Sequence, residues 1–451
     1  MQRALACALA GLFLGASPAR AASLPEILAK VYETNPRIAA ARARLAAADE
    51  RVAQALGSGR PRLLAYSSAA SSRLAGDRGP REILGFRQVL ALEQKLYAGG
   101  ETRALVSAAE NAVLAERARL AAVEQDVLLE TVATCAAVLR DRALFALARD
   151  NERSLERQLA ATRDRYRFGE VTRTDVAQAE TRLSRAIADR LAAEGALAAT
   201  GADFLRLVGE PPPERLEPVG LPAALPSSLE EALEAVEVHP VVRAARFALA
   251  GAEDEIGVAL AALLPKLTLR GETAFGRDPE LLERRTSEIA VVATLTVPLY
   301  QGGGEHARVR ETRKLALQRR YDLEDARRAV ARDIAAAWHQ LATARARAAA
   351  IASQIRAAEL ALEGVRTEAL AGARSVIDVL DAEQELFAAR VDEKKAVYEE
   401  LVAAHALLAA TGLLTVERLA LPTTTYDPQA HYRKVRGKWF GLGTEETGGR
   451  P

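Results

Sequence analysis

From Glu101 to Phe168 the chain runs 68 residues without a glycine or a proline. The two residues that most readily end a helix are missing, and alanine, leucine, glutamate and arginine, which favour one, fill the stretch. At about 1.5 Å per residue it predicts a helix roughly 100 Å long. A compact domain has no use for such an element. A second run, from about Glu305 to Leu370, is interrupted only by Gly364, so the requirement arises twice.

The repetition extends well beyond the helices. Tyr97 in "KLYAGGETRA" and Tyr300 in "PLYQGGGEHA" are 300 − 97 = 203 positions apart. Gly169 and Asp175 in "FGEVTRTDVAQAE" match Gly372 and Asp378 in "AGARSVIDVLDAE" at the same offset, and Pro36 with Pro240 and Pro61 with Pro265 pair at 204. Landmarks in one order and nearly one register define two structural repeats. Length alone suggests about three domains; the composition, dominated by Ala, Leu and Val with 4% aromatics, resists that division and suits close-packed helices. A first repeat at 22–208 has strands near 61–74 and 84–97 and a long helix over 101–168. The second, at 229–422, has strands near 264–276 and 287–300 and a long helix over 305–370. A Pro-rich linker (209–228) joins them, and a polar tail (423–451) has no counterpart in the first repeat.

Within the second long helix Val330, Ala337, Ala344, Ile351 and Ala358 recur every seven residues, and Ile334, Leu341, Ala348, Ile355 and Leu362 follow four positions on. That is a coiled-coil seam, although a helix of an ordinary bundle carries the same pattern. Each long helix is expected to turn at a glycine, Gly169 or Gly372, which satisfies its C-terminus. Thr172 or Thr174, and Ser375, are placed to cap the returning helix.

The N-terminus carries Arg3, an apolar segment to about Ala16, and Ala19-Arg20-Ala21 as a small-x-small cleavage site, so residues 1–21 read as a secretory signal peptide. Removing it takes Cys7 away and leaves Cys135 without an internal partner. No later stretch offers 18 consecutive apolar residues, which excludes a transmembrane helix from the mature chain and leaves a periplasmic, secreted or β-barrel protein. With 61 basic against 60 acidic residues, no long-range field draws nucleic acid.

The segments ahead of each long helix alternate. In "KLTLRGETAF" Leu267, Leu269, Gly271, Thr273 and Phe275 share one face, and Lys266, Thr268, Arg270 and Glu272 the other. In "EIAVVATLTVPL" Ile289, Val291, Ala293, Leu295, Val297 and Leu299 oppose Glu288, Thr294 and Thr296. About ten residues with one apolar face fit a membrane-barrel strand; a half-buried soluble sheet alternates in the same way. Four strands cannot close a barrel, since about eight is the smallest natural number.

With its duplication, paired "LYAGG" and "LYQGGG" strand ends, and paired "RFGEVTRTDV" and "LAGARSVIDVLDAE" turns, the chain resembles the TolC-like outer-membrane exit ducts of efflux pumps and type I secretion systems. The resemblance reaches to about residue 422, and the tail "YDPQAHYRKVRGKWFGL" is similar to that of members serving type I secretion. It implies a mainly α fold with a small β part, a homotrimer, and a twelve-stranded barrel in outer-membrane lipid of a Gram-negative type envelope. The barrel would be continued by an α-helical periplasmic barrel. It implies as partners a periplasmic adaptor, met through the tips at Gly169 and Gly372, and an inner-membrane transporter, the ABC type above others. By the same resemblance Asp378 and Asp381 face the pore at the periplasmic aperture, where rings of carboxylates favour cations, and Arg374 links to Thr174 and Asp175. Ala369 stands where members often place a tyrosine. Asp378 also lies in a first helical turn, where an acid stabilises the dipole.

An enzyme reading finds little to work with. His239, His306, His339, His405 and His431 have no metal-ligand spacing, and no G-x-S-x-G, H-E-x-x-H or Walker lysine occurs, so no catalytic residue, metal or cofactor is expected. A periplasmic adaptor or scaffold without a barrel is the remaining alternative, and it would carry one helical hairpin rather than two. The glycines at Gly99, Gly100, Gly302, Gly303 and Gly304, flanked by Tyr97 and Tyr300, read as strand-to-helix joints rather than a phosphate cradle. Such a joint exploits glycine's backbone freedom.

Overall fold

The computed structural model describes residues 22–76, 79–222, 225–277 and 285–443. The leader assigned to 1–21 and the tail's last residues, 444–451, lie outside them. The first half runs α1 (Leu24–Thr34), α2 (Pro36–Gly57), β1 (Arg62–Gly76), β2 (Gly79–Tyr97), α3 (Glu101–Arg167) and α4 (Arg173–Val208). The second runs α5 (Leu229–Glu234), a 3-10 turn (Ala235–Val238), α6 (Pro240–Ala261), β3 (Lys266–Arg277), β4 (Arg285–Thr296), α7 (Gly304–Leu370) and α8 (Val376–Ala410). The tail adds α9 (Ala430–Val435). The long helices α3 and α7 each have 67 residues. The 22-residue α2 and α6 both open on proline, whose missing N–H is no loss in a first turn.

Two differences from the sequence reading have local causes. The strand expected to reach residue 300 stops at Thr296, because Pro298 has no N–H for a ladder and constrains Val297 before it. At the opposite end β2 starts at Gly79 instead of about residue 84, pairing with β1 through Gly76. Gly79, Pro80, Arg81 and Glu82 hide the strand from an apolar alternation, while the register with β1 continues through Pro80 opposite Ala75.

The chain divides into two compact units. One comprises residues up to 36, 124–229 and 334–425; the other comprises 37–123, 230–333 and the tail from 426. In the first unit α7 packs on α8 through Ala337, Leu341, Ala404 and Leu407, with Trp338 half-buried beside them. Alanine at two of four positions lets helix axes approach closely, as seam alanines do. Most seam positions of α7 in this unit are buried, from Ile334 and Ala337 to Ala358 and Leu362. Cys135 is buried here as well, and desolvation pushes its thiol up to about 12, so it stays neutral.

In the second unit the four strands form one antiparallel sheet in the order β1-β2-β3-β4. Strand β2 of the first repeat pairs with β3 of the second, Leu92 opposite Gly271 and Leu90 opposite Thr273. A core of Ala41, Leu45, Ala48, Val52, Val113 and Leu120 joins α2 to α3, and Tyr426 and Tyr432 of the tail pack on it. Among the described residues no helix is long and apolar enough to cross a membrane.

Candidate functional site

Sheet register decides which side chains share a face. Because neighbours across a ladder project the same way, Leu63, Leu84, Leu90, Leu92, Phe275, Ile289, Val291 and Leu295 lie on one face. These are large apolar residues left exposed, Ile289 at 84% and Val291 at 73%. A soluble sheet would bury such a face. The opposite face carries a polar chain across all four strands. Arg270 donates to Glu272 and, at 3.3 Å, to the Tyr66 hydroxyl; Arg87 reaches Glu288 at 3.4 Å and Glu272 at 3.9 Å. An apolar outer and polar inner face is the arrangement of a membrane barrel wall.

Both strand-to-helix joints are built on left-handed glycines. Gly99 and Gly100 have φ of +64° and +85°, and Gly302 and Gly303 +76° and +85°, values that cost a residue with a Cβ about 1–2 kcal/mol. Gly99 is also enclosed: a Cβ there would stand 2.8 Å from Cβ of Leu264. Gly304 differs from the others, being the first residue of α7 with open space around it, so it belongs to the helix and not to the bend. Beside the joints Tyr97, Leu299 and Tyr300 are exposed. Lys266 at the start of β3 meets Glu101 at the start of α3 at 3.1 Å, and no anion-binding lysine adjoins the glycines of "LYQGGGEHA".

At the helix tips two turns share one design. Gly169 and Gly372 have φ of +77° and +79°. In each turn the glycine N–H and the N–H that follows it fold back onto helix carbonyls, Gly169 to Tyr166 and Glu170 to Arg165, Gly372 to Ala369 and Ala373 to Glu368. This is the Schellman closure, which needs a left-handed residue. Thr172 and Ser375 then cap α4 and α8. The Thr172 hydroxyl accepts from the Asp175 N–H, and the Asp175 carboxylate accepts from the Thr172 N–H at 2.7 Å and its hydroxyl at 2.8 Å. Ser375 and Asp378 repeat the box at 2.9 and 2.8 Å. Hydrogen bonds from Thr172, backbone then side chain, and from Ser375, side chain then backbone, hold both carboxyls below the usual range. Thr174 lies inside the first turn of α4. The cap is therefore Thr172 of the two candidates.

Several side-chain links near the tips were not anticipated from the sequence. Arg182 of α4 reaches Asp381 of α8 and donates to the Leu380 carbonyl at 3.2 Å. Arg163 pairs with Glu180 across the first hairpin at 2.6 Å and Arg366 with Glu383 across the second at 2.5 Å. These pairs are themselves 203 apart, so the duplication contained that signal. The expected link from Arg374 to Thr174 and Asp175 is not what one chain makes. Arg374 is engaged by Glu368 at 2.8 Å within its own turn, and Asp175 is committed to Thr172, because each turn satisfies its own charges locally. Phe168 and Leu370 stand exposed at the tips.

A lipid-facing sheet joined through glycine bends to paired helical hairpins defines a subunit of an outer-membrane channel. A family model described as "Outer membrane efflux protein" matches residues 19–210 and 233–413, and the chain belongs to that family. The protein conducts export across the outer membrane, where it resides. The outer membrane efflux protein BepC of Brucella suis is 34% identical over 450 residues, covering 98% of this chain and 97% of that one. The outer membrane protein TolC of Vibrio cholerae is 26% identical over 410 residues, 88% and 92% of the respective chains. The solved outer membrane channel CmeC of Campylobacter jejuni shares the fold at a TM-score of 0.77, with 16% identity, over 92% of this chain and 89% of that one. These relatives give no support to a barrel-free adaptor, and the family is one of channels rather than enzymes.

Proposed function

We propose that three copies of the chain close one twelve-stranded barrel in the outer membrane, and that their helices line the periplasmic part of the duct. The observation that carries this reading is the pair of open edges. Among the described residues β1 and β4 each have a ladder on one side only, while the face they share is apolar and exposed. An unpaired edge in lipid leaves backbone groups unsatisfied at several kcal/mol each, so β1 of one copy must be met by β4 of the next. Native mass spectrometry of protein extracted from outer membranes in mild detergent tests the count: three chain masses are expected, and a monomer or dimer rejects the trimer.

At the helix tips the exposed Phe168 and Leu370, set beside Gly169 and Gly372, form the contact for a periplasmic adaptor that couples the duct to an inner-membrane transporter, of the ABC type. Asp378 and Asp381 supply the carboxylates of the aperture. Asp381 is held by Arg182 inside one chain, and Arg374 and Asp175 act on the gate through the turns they hold with Glu368 and Thr172, Thr174 lying beside Asp175 in the first turn of α4. Replacing Phe168 and Leu370 with serine should abolish co-purification of the adaptor while leaving the trimer intact; unchanged co-purification removes the tips from the contact.

A further inference from the structure

The tail is fastened to the second unit by a series of specific contacts. His431 Nδ1 lies 3.1 Å from Asp49, whose side chain is fully buried and whose carboxyl is pushed up by that burial. Tyr432 donates to Glu110 at 3.0 Å, Arg436 meets the same carboxylate at 3.0 Å, and Arg117 lies over the Tyr432 ring. Beyond them Arg60 donates to the Lys438 carbonyl at 2.6 Å and places its guanidinium 4.8 Å from the centroid of the Trp439 ring. Arg60 is two residues ahead of β1, and the adjoining Gly59 carbonyl accepts from Gln94 near the end of β2. The clasp therefore delivers Trp439 to the end of the sheet where strands give way to helices.

What it delivers there is apolar and uncovered. Trp439, Phe440 and Leu442 are 65%, 90% and 102% exposed. Such a cluster, held in place by specific contacts on its N-terminal side, needs an occupant. Three observations select lipid. Trp439 rests on Arg60, three residues ahead of Leu63, which is exposed on the apolar face of β1. Through Arg60 and the Gly59–Gln94 hydrogen bond it is tied to the end of β2, whose last residue is the exposed Tyr97, and tryptophan and tyrosine prefer the membrane boundary. In sequence the exposed cations Arg62 and Lys438 flank Leu63 and Trp439, and cations there complement anionic headgroups.

We propose that the Trp439, Phe440 and Leu442 segment is an interfacial anchor that dips into the periplasmic leaflet of the outer membrane. It would pin each copy at the barrel rim. The inference goes beyond the duct reading but rests on its barrel.

The chain has two tryptophans, so Trp338→Phe leaves Trp439 as the single reporter in the full protein. Reconstitution is into phosphatidylcholine and phosphatidylglycerol vesicles, with the phosphatidylcholine brominated on one acyl chain. The anchor predicts blue-shifted emission, most of which the bromine quenches, and protection from acrylamide. Water-like emission open to acrylamide overturns it, and so does blue-shifted emission that bromine leaves intact, which would mean that a second copy of the chain covers the ring. A companion variant, Val291→Trp with Trp338→Phe and Trp439→Phe, reports on the barrel wall. Bromine quenching there with none at Trp439 rejects the anchor alone, whereas quenching at neither rejects the barrel together with the anchor.

Discussion

Arg182 of α4 holds Asp381 of α8, one guanidinium nitrogen meeting the carboxylate and another the neighbouring Leu380 carbonyl. The bond joins the returning helix of the first repeat to that of the second, beside the buried contact of Leu155, Ala186 and Leu380. It is thus placed to restrain movement of the second hairpin against the first.

Releasing that restraint should open the aperture. Arg182→Ala is expected to raise single-channel conductance in planar bilayers, with Arg182→Lys intermediate, since a lysine keeps the charge and loses the two-point geometry. Asp381 is largely exposed, so the cost to stability should stay under about 1 kcal/mol. Unchanged conductance would free Asp381 of any part in the gate.

The capping boxes make a separate claim about pH. Because the folded values of Asp175 and Asp378 are depressed below 3.8, their contribution is complete above the unfolded value. It is lost as pH falls through the folded one. Hydrogen exchange at the tips should therefore show turn protection that is flat from neutral pH to about 5 and lost in the acid range below 3.8. Thr172→Ala and Ser375→Ala should each cost about 1 kcal/mol at neutral pH. Protection that declined already between pH 7 and 5 would assign the turns to other groups.

At the joints three glycines should respond differently to alanine. Gly99→Ala, left-handed and enclosed by Leu264, is expected to impair folding by more than the roughly 1–2 kcal/mol of the backbone alone. Gly302→Ala meets no neighbour and should cost about that backbone amount. Gly304→Ala is helical and should stabilise by about 0.4–1 kcal/mol. Thermal melts of the extracted protein rank the three, and an equal loss at Gly302 and Gly304 would contradict the division.

The barrel wall offers a paired test with adjacent residues. Val291 lies on the apolar face and Val292 on the polar one. Val291→Arg should cost about 2–4 kcal/mol near the membrane midplane and deplete the protein from the outer-membrane fraction, whereas Val292→Arg should be tolerated. Equal depletion of both would remove the distinction between the faces.

How much of this the sequence reveals depends on the range of the signal. The ends of α3 stand at Gly100 and Gly169, and its length is written in the absence of glycine and proline between them. The caps at Thr172 and Ser375 are local as well. Sheet order and the Arg182–Asp381 bond are different in kind, because they join segments up to 199 positions apart that no period or spacing connects. Arg182 has a glutamate, Glu385, at its equivalent in the second repeat, and that reversal of charge was the available hint that the hairpins are not interchangeable. The clasp of α9 and His431 on Asp49 was illegible for another reason: the tail has no twin, so duplication says nothing about where it docks.

The central claim is that β1 of one copy pairs with β4 of another and that the ring closes at three. Within a chain these strands are separated by two others, about 14 Å at the usual spacing, too far for a disulfide, which needs Cα atoms within about 7 Å. In a Cys135→Ser background, Ser68→Cys combined in turn with Glu288→Cys, Ala290→Cys, Val292→Cys and Thr294→Cys should yield, at one register, a cross-linked ladder from intact outer membranes. That ladder should end at three chains on a non-reducing gel. No cross-link at any register, or a ladder continuing past three, would contradict the account.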